Sequence, residues 1–211
     1  MKNVTWLLFL SVICVLPVRS QSIFLTPRAG LNLATITQAD AGMKTGLNFG
    51  ISGEYVYAPK PQLAAVAGLF YSMQGCNLKG SAVNPEHNCL NLPVLFKYYV
   101  NAGTEGNNKG FSFFAGPQLD VKAVVNKVSY IKEDIEHHKK DPQYDILRNN
   151  VNKTLGMSAV IGAEYLFDVG LTLSANVNIG LTNNTKDQFA KGRSYKDMVI
   201  QINFGYRFSI L

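Results

Sequence analysis

The carboxyl-terminal part of the chain alternates strictly between apolar and polar positions. One face of residues 198–210 is entirely apolar, and the other face carries a single apolar residue, Val199. Residues 171–181 repeat the pattern, with Thr, Ser, Asn and Gly on the polar face. A period of two residues is typical of a strand whose two faces meet different surroundings. The two stretches therefore predict neighbouring β-strands.

Six similar alternating stretches come earlier in the chain, at about 23–36, 44–57, 62–75, 88–101, 110–126 and 154–167. Each is at or above the roughly 9–11 residues that a tilted strand needs to cross a bilayer. After the first twenty residues, no stretch approaches the roughly 18 consecutive apolar residues of a spanning helix. Any membrane insertion must therefore be through strands, and their even number is typical of a bacterial barrel.

The predicted connections alternate between long and short. In chain order they are 37–43, 58–61, 76–88, 102–109, 127–153, 168–169 and 182–196, and the three longest are 76–88, 127–153 and 182–196. Bacterial barrels keep both termini and the short turns in the periplasm and the long loops outside. If the first connection is outside, the three longest are outside too. The sequence therefore predicts an all-β fold, a closed, antiparallel, up-and-down transmembrane barrel of eight strands.

The composition of the polar face indicates which side lines the lumen. A soluble barrel would expose a face rich in Lys, Glu and Asp, whereas this face is mostly Gly, Ser, Asn, Gln and Thr, which suits a crowded lumen. The apolar face ends in aromatic residues near the predicted periplasmic ends, as at a membrane interface. These are Tyr55, Tyr57, Tyr98, Tyr165, Phe167, Tyr206 and Phe208. A soluble ligand-binding barrel remains the alternative.

The first twenty residues have the pattern of a cleaved signal peptide. Lys2 precedes an apolar run over residues 4–16, and Val18 and Ser20 occupy positions −3 and −1 before Gln21. We expect residues 1–20 to be removed and residues 21–211 to form the barrel domain in a bacterial outer membrane. Loss of Lys2 and Arg19 leaves 18 basic and 14 acidic residues, a net charge of +4. No basic block with interleaved aromatics suggests nucleic acid as a partner.

Two cysteines, Cys76 and Cys89, remain after cleavage. They stand at the two ends of the predicted loop 76–88, and an exported protein folds where disulfides form. We predict a disulfide that closes a loop of about a dozen residues. Two free thiols are the alternative.

The three histidines, His87, His137 and His138, all fall in predicted outer loops. Adjacent histidines point in different directions on a helix, so they make a poor metal pair, and we expect neither a metal nor a cofactor. A hydrolytic site would have to use His87 with Ser72 or Ser81, and no further residue orients that pair. The sequence therefore predicts a protein that is not an enzyme and has no catalytic residues.

One outer loop is rich in cations. Residues 182–196 carry Lys186, Lys191, Arg193 and Lys196 against Asp187 alone. Lipopolysaccharide phosphates are natural partners for such a loop. A plain solvated loop is the alternative.

Five charged residues fall on the polar faces of predicted strands, at similar heights near the periplasmic mouth. They are Arg28, Glu54, Lys97, Glu164 and Arg207. Because an unpaired charge in a narrow lumen is costly, we predict a connected network that either pins the barrel or shuts a pore. Pro93 and Pro117 also lie inside predicted strands at similar heights, which predicts a shared bulge.

Several motifs fall in order on successive predicted strands: "PRAGLNLA" (27–34), "GLFYSMQG" (68–75), "LNLPVLFKYY" (90–99), "FSFFAGPQL" (111–119), "GAEYLF" (162–167) and "NIGLTN" (178–183). With these motifs the chain resembles the PorT-like family of outer-membrane β-barrel proteins of Bacteroidetes. The resemblance implies an outer-membrane barrel, and one member of that family assists a dedicated secretion system. We therefore expect a monomeric, non-enzymatic scaffold in outer-membrane lipid that presents extracellular loops to protein partners or lipopolysaccharide, with a role accessory to secretion. A narrow pore for ions or small solutes is the alternative.

Overall fold

The computed structural model describes residues 22–37, 41–57, 59–78, 83–101, 108–130, 154–183 and 196–210. The predicted signal peptide, His137, His138 and most of the loop 182–196 lie outside these ranges. No helix within the described ranges is long and apolar enough to cross a membrane. The strands are β1 (Ser22–Ile36), β2 (Ala41–Val56), β3 (Leu63–Leu78), β4 (Val83–Tyr99), β5 (Gly110–Tyr130), β6 (Leu155–Leu166), β7 (Leu171–Gly180), β8 (Asp197–Tyr206) and β9 (Phe208–Ser209).

The strands form one antiparallel sheet that closes on itself. From β1 to β8 each strand pairs with the next along the chain, and β1 pairs with β2 on one side and with β8 and β9 on the other. The short β9 continues β8 after a break at Arg207, so the wall has eight strands. Closure gives the backbone groups of every wall strand a partner on both sides, as a bilayer requires. The predicted closed eight-stranded barrel is confirmed.

Side chains alternate between the lumen and the outer surface. In β7, Thr172 and Ser174 are buried whereas Leu171 and Leu173 are exposed. The outer face is apolar over most of its area, and Phe96 is 74% exposed. Such an apolar surface is stable against lipid, whereas water would select charged side chains. The soluble-barrel alternative is therefore wrong.

Exposed aromatic residues gather at the end of the barrel that carries the short turns. Tyr57, Tyr98 and Phe167 are each more than 40% exposed there. The rings of Tyr206 and Phe208 lie beside them on the wall, with centroids 4.6 Å apart. Amphipathic rings at this level fit the interfacial belt of an outer-membrane barrel.

Strands β3, β4 and β5 extend further from the short-turn end than the alternation predicted. The predicted loop 76–88 is mostly strand, because β3 continues to Leu78 and β4 begins at Val83. In this register Cys89 lies opposite Ser72, and Cys76 is four positions farther along β3. That offset is about 13 Å, beyond the roughly 7 Å that a disulfide tolerates between Cα atoms. Cys89 is a buried free thiol, so the predicted disulfide is wrong.

The prolines do not form a bulge. Pro93 lies opposite Gln118, and the ladder between β4 and β5 resumes in the same register at Phe96. The register shifts lie higher, between Glu86 and Cys89. A proline removes one hydrogen bond from a ladder without adding a residue, so the register passes through it unchanged. The predicted shared bulge is therefore wrong.

Candidate functional site

Five charged side chains meet inside the barrel near the short-turn end, and we call them the lumen charge network. Each comes from the inward face of a different strand or strand end, and each side chain is 9% exposed or less. They are Arg28 on β1, Glu54 on β2, Lys97 on β4, Glu164 on β6 and Arg207 between β8 and β9. These are the five residues that strand direction and face predicted at one level.

The lumen charge network is continuous. Lys97 Nζ lies 2.8 Å from Glu54 Oε2 and also contacts Glu164 Oε1. Arg28 Nη2 lies 2.9 Å from Glu164 Oε2, and Arg207 Nη2 lies 2.9 Å from Glu54 Oε1. Each carboxylate is therefore held by two cations, and Lys97 links the two halves. In a lumen with little water, this sharing offsets the cost of burying the charges.

Aromatic and apolar side chains lie beneath the network at the mouth of the barrel. Tyr99 is fully buried, and its hydroxyl donates a hydrogen bond to Glu54 Oε1. The guanidinium carbon of Arg207 lies 3.4 Å from the centroid of the Phe24 ring, a cation–π contact. Phe24 also packs against a buried cluster of Val56, Ala64 and Tyr99. The mouth is thus filled below the ion pairs as well as across them.

A second filled level lies farther into the barrel, which we call the amide layer; it comprises Asn32, Asn48, Ser72, Asn176 and Gln201. Asn32 is central, because its Oδ1 accepts from Asn48 Nδ2 at 2.6 Å and from Gln201 Nε2 at 2.9 Å. Its Nδ2 donates to Ser72 Oγ at 2.8 Å. Gln201 Oε1 accepts from Asn176 Nδ2 at 2.9 Å, which extends the layer along the wall from β8 to β7. Uncharged side chains therefore link the inward faces of five consecutive strands, β7, β8, β1, β2 and β3.

An apolar cluster and a small cavity separate the two filled levels. Val66, Leu95, Phe114 and Val160 pack together inside the barrel. The cavity measures about 40 Å³ and reaches from Arg28 to the amide layer. It has room for about three water molecules, since each needs roughly 10–15 Å³.

A third polar cluster lies near the opposite mouth. Lys122 Nζ is 3.5 Å from Asp197 Oδ2, and Asp120 accepts hydrogen bonds from Gln118 and Ser158. These residues were not among those predicted from the sequence to form a site. Their inward position can be inferred from alternation, because Asp120 and Lys122 lie two and four residues after buried Gln118, on the same face of β5.

The remaining predicted site residues are not brought together. Lys196 is described, and its backbone N–H donates to Thr37 Oγ1 at 3.3 Å, whereas Lys186, Lys191 and Arg193 lie outside the described residues. His87 lies within β4, where its side chain is not described. Ser72 belongs to the amide layer, and Ser81 lies outside the described ranges. Within the part of the chain that the structure describes, no three potential metal ligands form a group.

Comparisons with known proteins agree with this architecture. A family model described as an outer membrane protein β-barrel domain matches residues 19–186. Neisserial surface protein A (NspA) is 11% identical, with 88% of this chain and 97% of that chain covered at a TM-score of 0.50. Ail of Yersinia pestis is 8% identical, with 88% and 98% covered at 0.46. OprG of Pseudomonas aeruginosa is 14% identical, with 89% and 95% covered at 0.38. The likeness to NspA concerns the fold, and no curated protein matches the chain.

Proposed function

Because the chain belongs to the family of outer membrane protein β-barrel domains and lies in the bacterial outer membrane, we propose that it acts as a closed scaffold that presents extracellular loops. The observation that carries the proposal is the filled lumen. The lumen charge network spans the periplasmic side of the lumen, with fully buried Tyr99 beneath it, and the amide layer lines five consecutive strands above. A barrel whose lumen is filled by side chains has its use on its outer surface rather than in its lumen.

Single-channel recording on the mature protein in planar bilayers tests the closed lumen. We expect no conductance steps above those of protein-free membranes at moderate voltage, because the lumen charge network and Tyr99 fill the periplasmic side of the lumen. Reproducible steps from protein that shows the mobility of a folded barrel in unheated gels would contradict the scaffold function.

A narrow pore is the second candidate function. The lumen charge network favours it, because its side chains can break their ion pairs and move apart while the backbone hydrogen bonds of the wall stay intact. The double variant Glu54→Ala with Glu164→Ala separates the two functions. If the network is a gate, the variant gains conductance, because removing the two carboxylates leaves all three cations without an ion-pair partner in the network. If the lumen is structural, conductance stays at background, because Tyr99, Phe24 and the amide layer still fill the barrel.

For the partner, we propose lipopolysaccharide phosphates at the cationic loop 182–196. The local charge supports this proposal, because these fifteen residues contain four cationic side chains and only one acidic side chain. Replacing Lys186, Lys191, Arg193 and Lys196 by Gln should reduce the lipopolysaccharide that co-purifies with the barrel. A matched control replaces Lys60 and Lys109, exposed cations at the short-turn end, and should leave the lipid content unchanged. Equal lipid in both variants removes this proposal.

An accessory role in protein secretion is the finer proposal that the resemblance to PorT-like proteins supports. A deletion strain compared with its complemented parent tests it, with the secreted proteome as the measurement. We expect a group of secreted proteins to be retained in the periplasm of the deletion strain. An unchanged secretome leaves the scaffold function in place and removes the secretion role.

A further inference from the structure

The cavity between the two filled levels has a polar side that the wall residues do not satisfy. Its lining combines Arg28, from the lumen charge network, with the amides Asn91 and Asn203 and with apolar side chains such as Leu95 and Phe114. Arg28 Nε is buried and has no hydrogen-bond partner among the described residues. A buried donor of this kind costs free energy unless something in the cavity accepts from it.

The lumen charge network carries an excess positive charge, which the third polar cluster, with Asp120 and Asp197 against Lys122, balances only near the opposite mouth. Within the described residues, the lumen charge network has three cations, Arg28, Lys97 and Arg207, and two carboxylates, Glu54 and Glu164, a net charge of +1. An excess charge in a poorly hydrated space is costly unless a counter-charge accompanies it. Since Arg28 alone of these five lines the cavity, the counter-charge is best placed there.

Two acceptors on the same cavity also lack partners. Asn91 Oδ1 and Asn203 Oδ1 are buried and accept no hydrogen bond from the described residues. An anion by itself cannot satisfy them, because it has no proton to donate. A water molecule can donate one hydrogen bond to an amide oxygen and another to an anion. The cavity of about 40 Å³ has room for about three species of the size of a water molecule.

We propose that this cavity binds one small monovalent anion of about the size of chloride, together with one or two water molecules. The anion accepts from Arg28 Nε and neutralises the excess charge of the network. The waters donate to Asn91 and Asn203 and complete the shell of the anion. A polyatomic anion such as sulfate takes up the space that the waters need. The site is independent of the scaffold function, because a bound ion that stays in the cavity carries no current.

Halide dependence of unfolding tests the proposal on the full mature barrel in detergent micelles. At equal ionic strength, chloride should raise the unfolding temperature above that in gluconate, by about 5–10 °C when chloride is in hundredfold excess over its dissociation constant. Crystals grown in bromide should show one anomalous peak within hydrogen-bond distance of Arg28 Nε. Equal unfolding temperatures in the two salts and a cavity that holds only water would overturn the proposal.

A substitution that supplies the negative charge from the wall provides the matched test. Asn203→Asp places a carboxylate on the cavity, so it should abolish both the chloride dependence and the bromide peak. Asn178→Asp is the control, because Asn178 is also a buried lumen amide with hydrogen-bonded neighbours but does not line the cavity. It should keep the full chloride dependence. If Asn203→Asp keeps it too, the anion is not bound here; if that variant fails to fold, the bromide peak in the unsubstituted protein decides.

Discussion

Lys97 holds the lumen charge network together, because its ammonium group contacts both buried carboxylates. Lys97→Met keeps the length of the side chain but leaves Glu54 and Glu164 with one cation each. Breaking a buried ion pair in this way typically costs about 3–5 kcal/mol. We therefore expect the free energy of unfolding to fall by about that amount. Urea unfolding in micelles, followed by circular dichroism, measures this change. Tryptophan fluorescence does not serve here, because Trp6, the chain's single tryptophan, lies in the predicted signal peptide.

The matched control for Lys97 is Lys109, which pairs with Asp168 at 3.0 Å on the surface. Both partners are well exposed, at 46% and 84%, so water already screens their interaction. Lys109→Met should change the free energy of unfolding by less than about 0.5 kcal/mol. If the two methionine variants are equally stable, the network does not contribute to stability as we describe.

The free thiol of Cys89 gives a second prediction at this scale. Its side chain is 1% exposed and contacts Gln74 inside the lumen. In a Cys76→Ser variant, we expect the folded barrel not to react with a thiol reagent and the urea-unfolded chain to take up one equivalent. Rapid labelling of the folded variant would show that reagent reaches this level of the lumen, against the filled interior described above.

At the residue scale, alternation and strand direction predicted many of the side chains that fill the lumen. They predicted Arg28, Glu54, Lys97, Glu164 and Arg207 on inward faces at one height, and the structure joins these side chains by ion pairs. They missed Tyr99, although it lies two positions from Lys97 on the same face of β4. The aromatic residues that the sequence pattern singled out all belong to the apolar, outward face, and Tyr99 does not. Which oxygen pairs with which nitrogen depends on side-chain conformations, and those cannot be inferred from a pattern of faces.

At the scale of the strand, glycines on inward faces let the wall pack around bulky lumen side chains. A Cβ built on Gly162 of β6 would lie 2.6 Å from Phe114 Cζ and 2.6 Å from Asn176 Cβ. Gly162→Ala should therefore lower the free energy of unfolding by about 1–3 kcal/mol through overpacking. Urea titration of the purified barrel measures the change.

Gly53 of β2 is the control for this prediction, because a Cβ there meets only Ala67 O at 4.0 Å. Gly53→Ala should leave stability unchanged or raise it by up to about 1 kcal/mol, since glycine loses more backbone entropy than alanine on folding. A loss at Gly53 as large as that at Gly162 would mean that backbone conformation, not lumen packing, explains both.

Strand existence was predictable, but strand ends and register were not. The alternation found all eight wall strands, because each separates lipid from a polar lumen over its whole span. It ended β3 near residue 75 and began β4 near residue 88, whereas the strands continue to Leu78 and from Val83. Backbone pairing holds a strand together beyond the bilayer, where side-chain polarity no longer marks the two faces. The disulfide prediction depended on those ends, and it was wrong for that reason.

For the whole molecule, closure and filling are linked. Eight strands leave an interior just wide enough for side chains, so the lumen charge network, the apolar cluster and the amide layer together take the place of a hydrophobic core. The outer face meets lipid, which offers no driving force for holding the wall closed beyond its own hydrogen bonds. Cross-lumen contacts such as those of Lys97 and Arg28 therefore give the barrel its rigidity.

The orientation of the barrel in the membrane gives the last prediction. Both ends of the described wall, Ser22 and Ile210, lie at the same end of the barrel as the turns that follow β2, β4 and β6. Because bacterial barrels keep their termini and short turns in the periplasm, the connections 131–153 and 184–195 should face the outside of the cell. An epitope tag inserted between residues 188 and 189 should bind antibody on intact cells. A tag between residues 105 and 106 should bind only after the outer membrane is permeabilised, and a periplasmic marker protein controls for leakage. Surface detection of the second tag on intact cells, with the first one hidden, would reverse the orientation and move the proposed lipopolysaccharide contact to the wrong side of the membrane.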